Sequence, residues 1–308
     1  MAALVTVTLD YLLQLQAEAH GFSFLSKQPL ASLLAGRHTS RIRGRGLSFE
    51  ELREYRQGDD IRSIDWRATA RLRAPYVRVY TEERERPVLL VVDQRRTMFF
   101  GSQRAMKSVA AAEVAALAAW RTLAAGDRVG GIVFNGSELI EVPPHRSRTR
   151  VLRLLDEVIR CNRLLAEQVD SESDDAGAML NQALEAALRR ARHNHLVVLI
   201  GDLDGADSET QRLATELAAH NDVLVVAVYD PLGASLQAYP NMLAADHGKI
   251  YRVPQNANFS PAFQQAFAAR LDRWTDIFKS LRVPVMPITT AVPPAQQIRE
   301  LFGLQVTQ

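Results

Sequence analysis

Cysteine is almost absent from this chain. Cys161 is the only one in 308 residues, so no internal disulfide can form and a secreted fold held by bridges is excluded. A cytoplasmic protein is the default expectation. Long apolar runs are also missing: no stretch approaches the roughly 20 apolar residues that a spanning helix needs. The opening MAALVTVTLDYLLQLQ lacks a basic leader and is interrupted by Asp10, so neither a membrane span nor a signal peptide is expected. Lysine is scarce, with 4 lysines against 33 arginines. Arginine makes planar, bidentate, permanently charged contacts that lysine does not, which suits ion-pair networks and interfaces. Codon bias in a GC-rich genome would give the same skew.

Several catalytic signatures are missing as well. There is no internal repeat, no GxxxxGK[ST] phosphate loop and no GxSxG elbow. His145, His193 and His195 stand in no metal-ligand spacing with cysteine and read as solvated or capping residues. Cys161 falls on a helical stretch and reads as packing. What is present is an ordinary globular composition, 47% apolar and 23% charged with a net charge of +2. The length suits one domain of about 200 residues and a smaller one.

Three regions differ in texture. Residues 1–46 read as a helical arm, with apolar positions at Leu9, Leu12, Leu13, Leu30, Leu33 and Leu34 interrupted by 21-GFSF-24, followed by the basic connection 37-RHTSRIRGRG-46. Residues 47–86 are dense in charge of both signs around spaced aromatics, and 75-PYVRVYT-81 alternates as a strand does. Acids are too closely interleaved there for a phosphate-neutralising surface, so no nucleic-acid partner is expected.

From residue 87 the rhythm is regular. VLLVV (88–92), VGGIVF (129–134), LVVLI (196–200) and VLVVAV (223–228) alternate with helical stretches at 103–125, 146–165 and 177–191. Continuous apolar strands separated by helices indicate a doubly wound, mostly parallel sheet covered on both faces, an α/β domain over 87–308. The remainder reads as turn-rich 231–255, an amphipathic helix at 261–281, a strand within 283–290 and a helix at 293–304.

In such sheets the loops after the strand ends form the ligand crevice. The stretch 88-VLLVVDQRRTMFFGS-102 places Asp93 there, and 200-IGDLDG-205 adds Asp202 from another strand end. Asp93, Thr97 and Asp202 are suitable oxygen donors for Mg²⁺ or Mn²⁺. Together with 126-GDRVGGIVFN-135, these strand ends resemble a von Willebrand factor A-like domain, whose metal-ion-dependent adhesion site carries Asp-x-Ser-x-Ser, a Thr and an Asp on three loops. The string from Gly44 to Ser102 closely resembles the bacterial domain-of-unknown-function family fifty-eight, in which such a segment leads into that domain.

The resemblance places Asp93 at the motif's acid, Arg95 where its first serine belongs, and Thr97 at its second. Asp174 or Asp175 falls where the threonine loop is due, and Asp202 takes the last acid. Arg95 is the departure, since a guanidinium beside these carboxylates would replace a cation's charge and repel a divalent ion. Three readings stand open: a metal-free polar site with Arg95 paired to Asp93 or Asp174, a bound ion with Arg95 turned outward, or a plain strand end whose acid caps the next helix.

The charged segment supplies a second set: Arg53, Tyr55, Arg56, Gly58, Asp59, Asp60, Arg62, Asp65, Trp66 and Arg71. Read structurally, Asp59, Asp60 and Asp65 pair with Arg53, Arg56, Arg62 or Arg67 while Trp66 packs on the sheet domain. Read functionally, the segment is a docking surface. The resemblance implies a non-enzymatic interaction module that partners a MoxR-type AAA+ ATPase and its client proteins, binding through Asp93, Arg95, Thr97, Asp174 and Asp202. The competing reading is a Mg²⁺-dependent phosphatase in which Asp202 attacks phosphorus and Asp204 acts as acid and base.

Overall fold

The computed structural model describes residues 4–19, 47–82, 86–167, 176–234, 243–246, 249–252 and 283–303, with single positions between 261 and 281. In chain order the elements are α1 (Leu9–Glu18), β1 (Leu47–Glu54), α2 (Trp66–Leu72), β2 (Tyr76–Glu82), β3 (Val88–Asp93), α3 (Lys107–Ala124), β4 (Val129–Phe134), β5 (Leu139–His145), α4 (Arg148–Glu167), α5 (Ala176–Arg190), β6 (Leu196–Gly201), α6 (Ser208–His220), β7 (Asp222–Tyr229), α7 (Pro231–Ala234), β8 (Leu243–Asp246), β9 (Lys249–Arg252) and β10 (Val285–Thr289), followed by a helix over Pro294–Gly303. The chain forms two units: residues 1–35 with 86–308, and residues 36–85.

The larger unit is built on a six-stranded sheet in the order β10-β7-β6-β3-β4-β5. Counted within the unit this is 3-2-1-4-5-6 read from the β5 edge, the doubly wound order. All neighbours are parallel except β4 and β5. The fold is α/β with helices on both faces, as the von Willebrand factor A-like resemblance implied.

Strand β3 shows why the apolar run must be continuous. All six of its residues are buried, and alternate side chains go to opposite faces. Val88, Leu90 and Val92 enter one core with residues of α1, α3 and α4. Leu89 and Val91 enter the other with Leu180 and Leu184 of α5 and Leu213 and Leu217 of α6. An alternating polar strand could serve only one of these layers.

Helix α3 is buried on nearly every side, including seven alanines between Ala110 and Ala119. It packs on the sheet and is covered or flanked by α1, α4 and the Pro294–Gly303 helix, and short side chains permit this close approach. Trp120 fills the gap toward α1, its indole nitrogen donating to the Leu12 carbonyl at 3.0 Å. Helix α1 is therefore part of the sheet unit's core, with Val7, Leu12 and Leu15 buried in it, where the sequence reading set residues 1–46 apart as an arm. The rest of that arm, the basic connection, and most of the helix expected at 261–281 lie outside the described residues.

Four strands escaped the sequence reading. Strand β5 carries Pro143 and Pro144, which proline's missing N–H confines to an edge, and it is the antiparallel edge strand. Strand β1 is concealed by its charge, and β8 pairs with β9 as a short antiparallel hairpin inside the stretch read as turns.

The β4–β5 contact is tight at Gly130, where a Cβ would lie 2.4 Å from the Val142 carbonyl oxygen and 2.5 Å from the Pro144 nitrogen. Both obstacles are backbone, and the register shifts at this point. Gly130→Ala is expected to destabilise the protein by about 1–3 kcal/mol, as overpacking does, measured by urea denaturation; an unchanged midpoint would show that β5 yields freely.

Candidate functional site

The topological switch point lies between β3 and β6, whose connections run to opposite sides of the sheet. At its C-terminal rim the side chain of Asp93 turns across the end of β6. Gly201 makes this possible: a Cβ there would stand 2.8 Å from Asp93 Cβ and 3.0 Å from its Oδ2.

Asp93 is buried, and so is Arg95 at 2% exposure. The Arg95 backbone N–H donates to Asp93 Oδ1 at 2.9 Å, its Nε lies 3.0 and 3.1 Å from Oδ1 and Oδ2, and Nη2 lies 2.6 Å from Oδ2. Nη1 donates to the Asp204 carbonyl at 3.0 Å, and the guanidinium carbon sits 5.5 Å from the Phe134 ring centroid. Arg95 is thus folded inward, which removes the reading that turned it toward solvent. Its partner is Asp93; Asp174 and Asp175 lie outside the described residues.

A second cation, missed in the sequence, completes the arrangement. Lys107, the first residue of α3, places Nζ 2.6 Å from Asp202 Oδ2. Asp202 Oδ1 accepts from the Asp204 backbone N–H at 3.0 Å and from Thr97 Oγ1 at 3.4 Å, and lies 3.9 Å from Arg95 Nη2. Asp93, Arg95, Thr97 and Asp202 therefore come together as expected. No spacing rule links Lys107 to Asp202, 95 residues away.

The electrostatics follow from burial and pairing. Burial opposes the Asp202 charge, but Lys107, the Asp204 amide and Arg95 outweigh it and hold the carboxyl below its usual range. Burial pushes the Asp93 carboxyl up against the pull of Arg95, with the neighbouring Asp202 charge adding to the rise. Burial also opposes the Arg95 charge, yet Asp93, Asp202 and Asp204 more than offset it and hold the guanidinium protonated. Each of the two buried carboxylates is met directly by a side-chain cation, Asp93 by Arg95 and Asp202 by Lys107.

These residues do not fit the divalent metal that the adhesion-site resemblance implies. A metal needs several oxygens free to converge on it, whereas the Asp93 carboxylate is filled by a guanidinium and Asp202 by an ammonium. Among the described residues no group of three or more His, Cys, Asp or Glu side chains is arranged to hold a metal.

A third strand end repeats the pattern with neutral partners. Asp230, after β7, accepts from Ser102 N at 2.8 Å, Ser102 Oγ at 2.5 Å, Thr290 Oγ1 at 2.5 Å and Leu232 N at 2.9 Å. Burial opposes its charge, and the Ser102, Thr290 and Leu232 bonds outweigh that and keep the carboxyl low. The signal was present in the sequence, since VVD, IGD and VYD each end an apolar strand in an acid.

A family model described as protein of unknown function DUF58 matches residues 51–272. The chain belongs to the DUF58 family. Its relatives include uncharacterised proteins of Mycobacterium bovis and Mycobacterium tuberculosis, each 29% identical over 268 residues that cover 86% of this chain and 81% of theirs. Similar solved structures include BatB from Bacteroides thetaiotaomicron (16% identity, TM-score 0.41, 70% of this chain and 97% of that one). The SpRpn10 VWA domain is another (10% identity, TM-score 0.35, 72% and 96%).

In this DUF58 chain the smaller unit is a β1–β2 antiparallel pair with α2 inserted between the strands. Arg53 grips Asp59 in a bidentate pair at 2.8 Å for both bonds. Hydrogen bonds from Arg53 and from the Arg56 amide hold the Asp59 carboxyl down at about 2. Gly58, at φ +106°, takes the turn conformation before it that a side chain would resist. Asp60 accepts from the Arg62 amide and starts the short 3₁₀ turn Ile61–Ser63.

Two expectations for this unit are corrected. Asp65 pairs with Arg78 at 2.8 Å, outside the set of arginines considered, because its other oxygen caps α2 through the Arg67 and Ala68 amides and the strand residue Arg78 meets the remaining one. Trp66, expected to be packed, is 68% exposed. It is the first residue of α2, and its ring is not covered by that helix or by the hairpin. Tyr55 is partly buried and Arg71 exposed. Cys161 is fully buried, and burial pushes its thiol up to about 11, which fits the packing role.

Lys107→Met leaves Asp202 as a buried carboxylate without its ammonium, a change expected to cost about 3–5 kcal/mol at neutral pH. Asp202's depressed pKa contributes stability above the ordinary carboxylate range, lost on acidification. The variant's deficit should therefore shrink toward about pH 3, below the ordinary carboxylate range, as Asp202 of the unaltered protein begins to take up its proton. Urea denaturation at both pH values checks this, and a deficit equal at both would remove Asp202 from the explanation.

Proposed function

We propose that this chain is a non-enzymatic, cytoplasmic protein-interaction module, a partner or adaptor of a MoxR-type AAA+ ATPase and its clients. Its strand-end loops form a surface preorganised by side-chain cations in place of Mg²⁺ or Mn²⁺. The observation that carries this reading is the double pairing at the switch point, Arg95 with Asp93 and Lys107 with Asp202. Such pairs fix the loops without consuming a ligand, and they leave the loop exteriors, including Phe100 at 46% exposure, available to a partner. The family resemblance supports the choice of ATPase, and ATP hydrolysis belongs to that protein.

The phosphatase alternative asks Asp202 to attack phosphorus. Its carboxylate is only 5% exposed and bonded to Lys107, an arrangement that favours the binding reading. Phosphate-ester hydrolysis with Mg²⁺ that is abolished by Asp202→Asn would reverse this preference.

Two measurements test the proposal. Addition of Mg²⁺ or Mn²⁺ should leave the melting temperature of the protein unchanged, while Arg95→Ser should acquire a metal-dependent rise; a large shift in the unaltered protein would defeat the metal-independent reading. Tagged protein recovered from native extract, with Mg²⁺ and with chelator in parallel, should bring down an AAA+ ATPase in both, as mass spectrometry would identify. Absence of any ATPase from both would end the adaptor reading. Recovery with Mg²⁺ alone would count against the metal-independent surface once the ATPase's own Mg²⁺–ATP requirement had been controlled for.

A further inference from the structure

Helix α2 in the smaller unit presents a face that its own unit does not use. Thr69 turns toward the hairpin, where its hydroxyl oxygen accepts from the Tyr76 N–H at 3.0 Å, and Ala68 is half-buried beside it. At 100° per residue from Thr69, Trp66 falls about 60° round the helix, Ala70 about 100°, and Arg67 and Arg71 about 160°, a continuous arc leading away from the hairpin on which all four are exposed. Arg67 and Arg71 are one turn apart, where like charges repel. Trp66 is 68% exposed, and the residue one turn on is the small Ala70.

The charge around this face is unbalanced. Three of the unit's acids are engaged, Asp59 with Arg53 and Asp65 with Arg78, while Asp60 caps the 3₁₀ turn. Arg62, Arg67, Arg71 and Arg73 are exposed and make no salt bridge among the described residues. Ile61 and Leu72 stand among them at 64% and 55% exposure. Exposed aromatic and aliphatic groups ringed by unpaired arginines are the composition of an interface centre.

We propose that the outer face of α2 is a docking surface for an acidic segment of another protein that carries apolar side chains between its carboxylates. Arginine's fork matches carboxylates bidentately, and Trp66, Ile61 and Leu72 provide apolar contact that a phosphate backbone does not need. The surface involves none of the strand-end residues, so it stands or falls apart from the site proposed above.

The test uses the full chain and a short fluorescein-labelled peptide of alternating glutamate and leucine, followed by fluorescence anisotropy. Binding is expected, weakened by salt, and at least tenfold tighter than to a peptide of glutamate and serine. Arg67→Glu with Arg71→Glu should lower affinity at least tenfold, and Trp66→Ala should do the same at unchanged charge. Trp66→Phe, compared with the unaltered protein, isolates the Trp66 emission, which peptide should protect from acrylamide quenching. Thermal melts confirm that each variant is folded. Equal affinity in the charge-reversed protein would overturn the proposal, as would tighter binding to a single-stranded oligonucleotide than to the peptide. Concentration-dependent dimerisation lost in the same variants would overturn it too, by assigning the face to a second copy.

Discussion

The structure turns on one electrostatic constraint, a carboxylate buried at the end of a strand that is itself buried on both faces. Desolvating Asp93 is costly unless a cation comes with it, and here the cation is two residues along the chain. Arg95 can reach back only if the backbone turns sharply after β3 and the neighbouring strand leaves room. Those demands explain the backbone N–H of Arg95 on Asp93 Oδ1 and the glycine at 201. Arg95 also takes the Asp204 carbonyl, which fixes the β6 loop, and that loop carries the acid that Lys107 neutralises.

Polar order extends inward from the same loop. Gln94, between the paired residues, donates to the Ser108 carbonyl and accepts from Asn162, whose own oxygen takes the Val7 N–H. Nearby, Leu4 exchanges backbone bonds with Arg104 and Met106. Arg104 pairs with the buried Glu113, which Tyr11 also contacts. The start of α3, the strand-end loop and the N-terminal segment are thereby tied together, and Lys107 stands in the chain between Met106 and Ser108, whose backbone groups take part.

Much of this was legible in the residues, and what was missed has physical causes. The four buried parallel strands announce themselves because a strand covered on both faces must be apolar throughout. Asp93, Arg95, Thr97 and Asp202 could be grouped because strand ends share a rim. Lys107 could not, because its role depends on where α3 begins in space, and Asn162 looks in the sequence like any polar residue of an amphipathic helix. The prolines of β5 and the charges of β1 obscure strands whose pairing is set by their partners. Trp66 misled because an aromatic beside a cap is equally at home buried or exposed, and only the orientation of α2 decides.

The bond between Val7 and Asn162 spans 155 residues, and this bears on how the chain acquires its shape during synthesis. Helix α1 has no surface to dock against until α3 has emerged from the ribosome, and its seat is complete only once α4 follows. Contacts so distant in sequence form slowly, and an unseated amphipathic helix exposes apolar surface meanwhile. Helix α1 thus waits through the synthesis of every element up to α4 before it can seat, and over that interval it is available to chaperones.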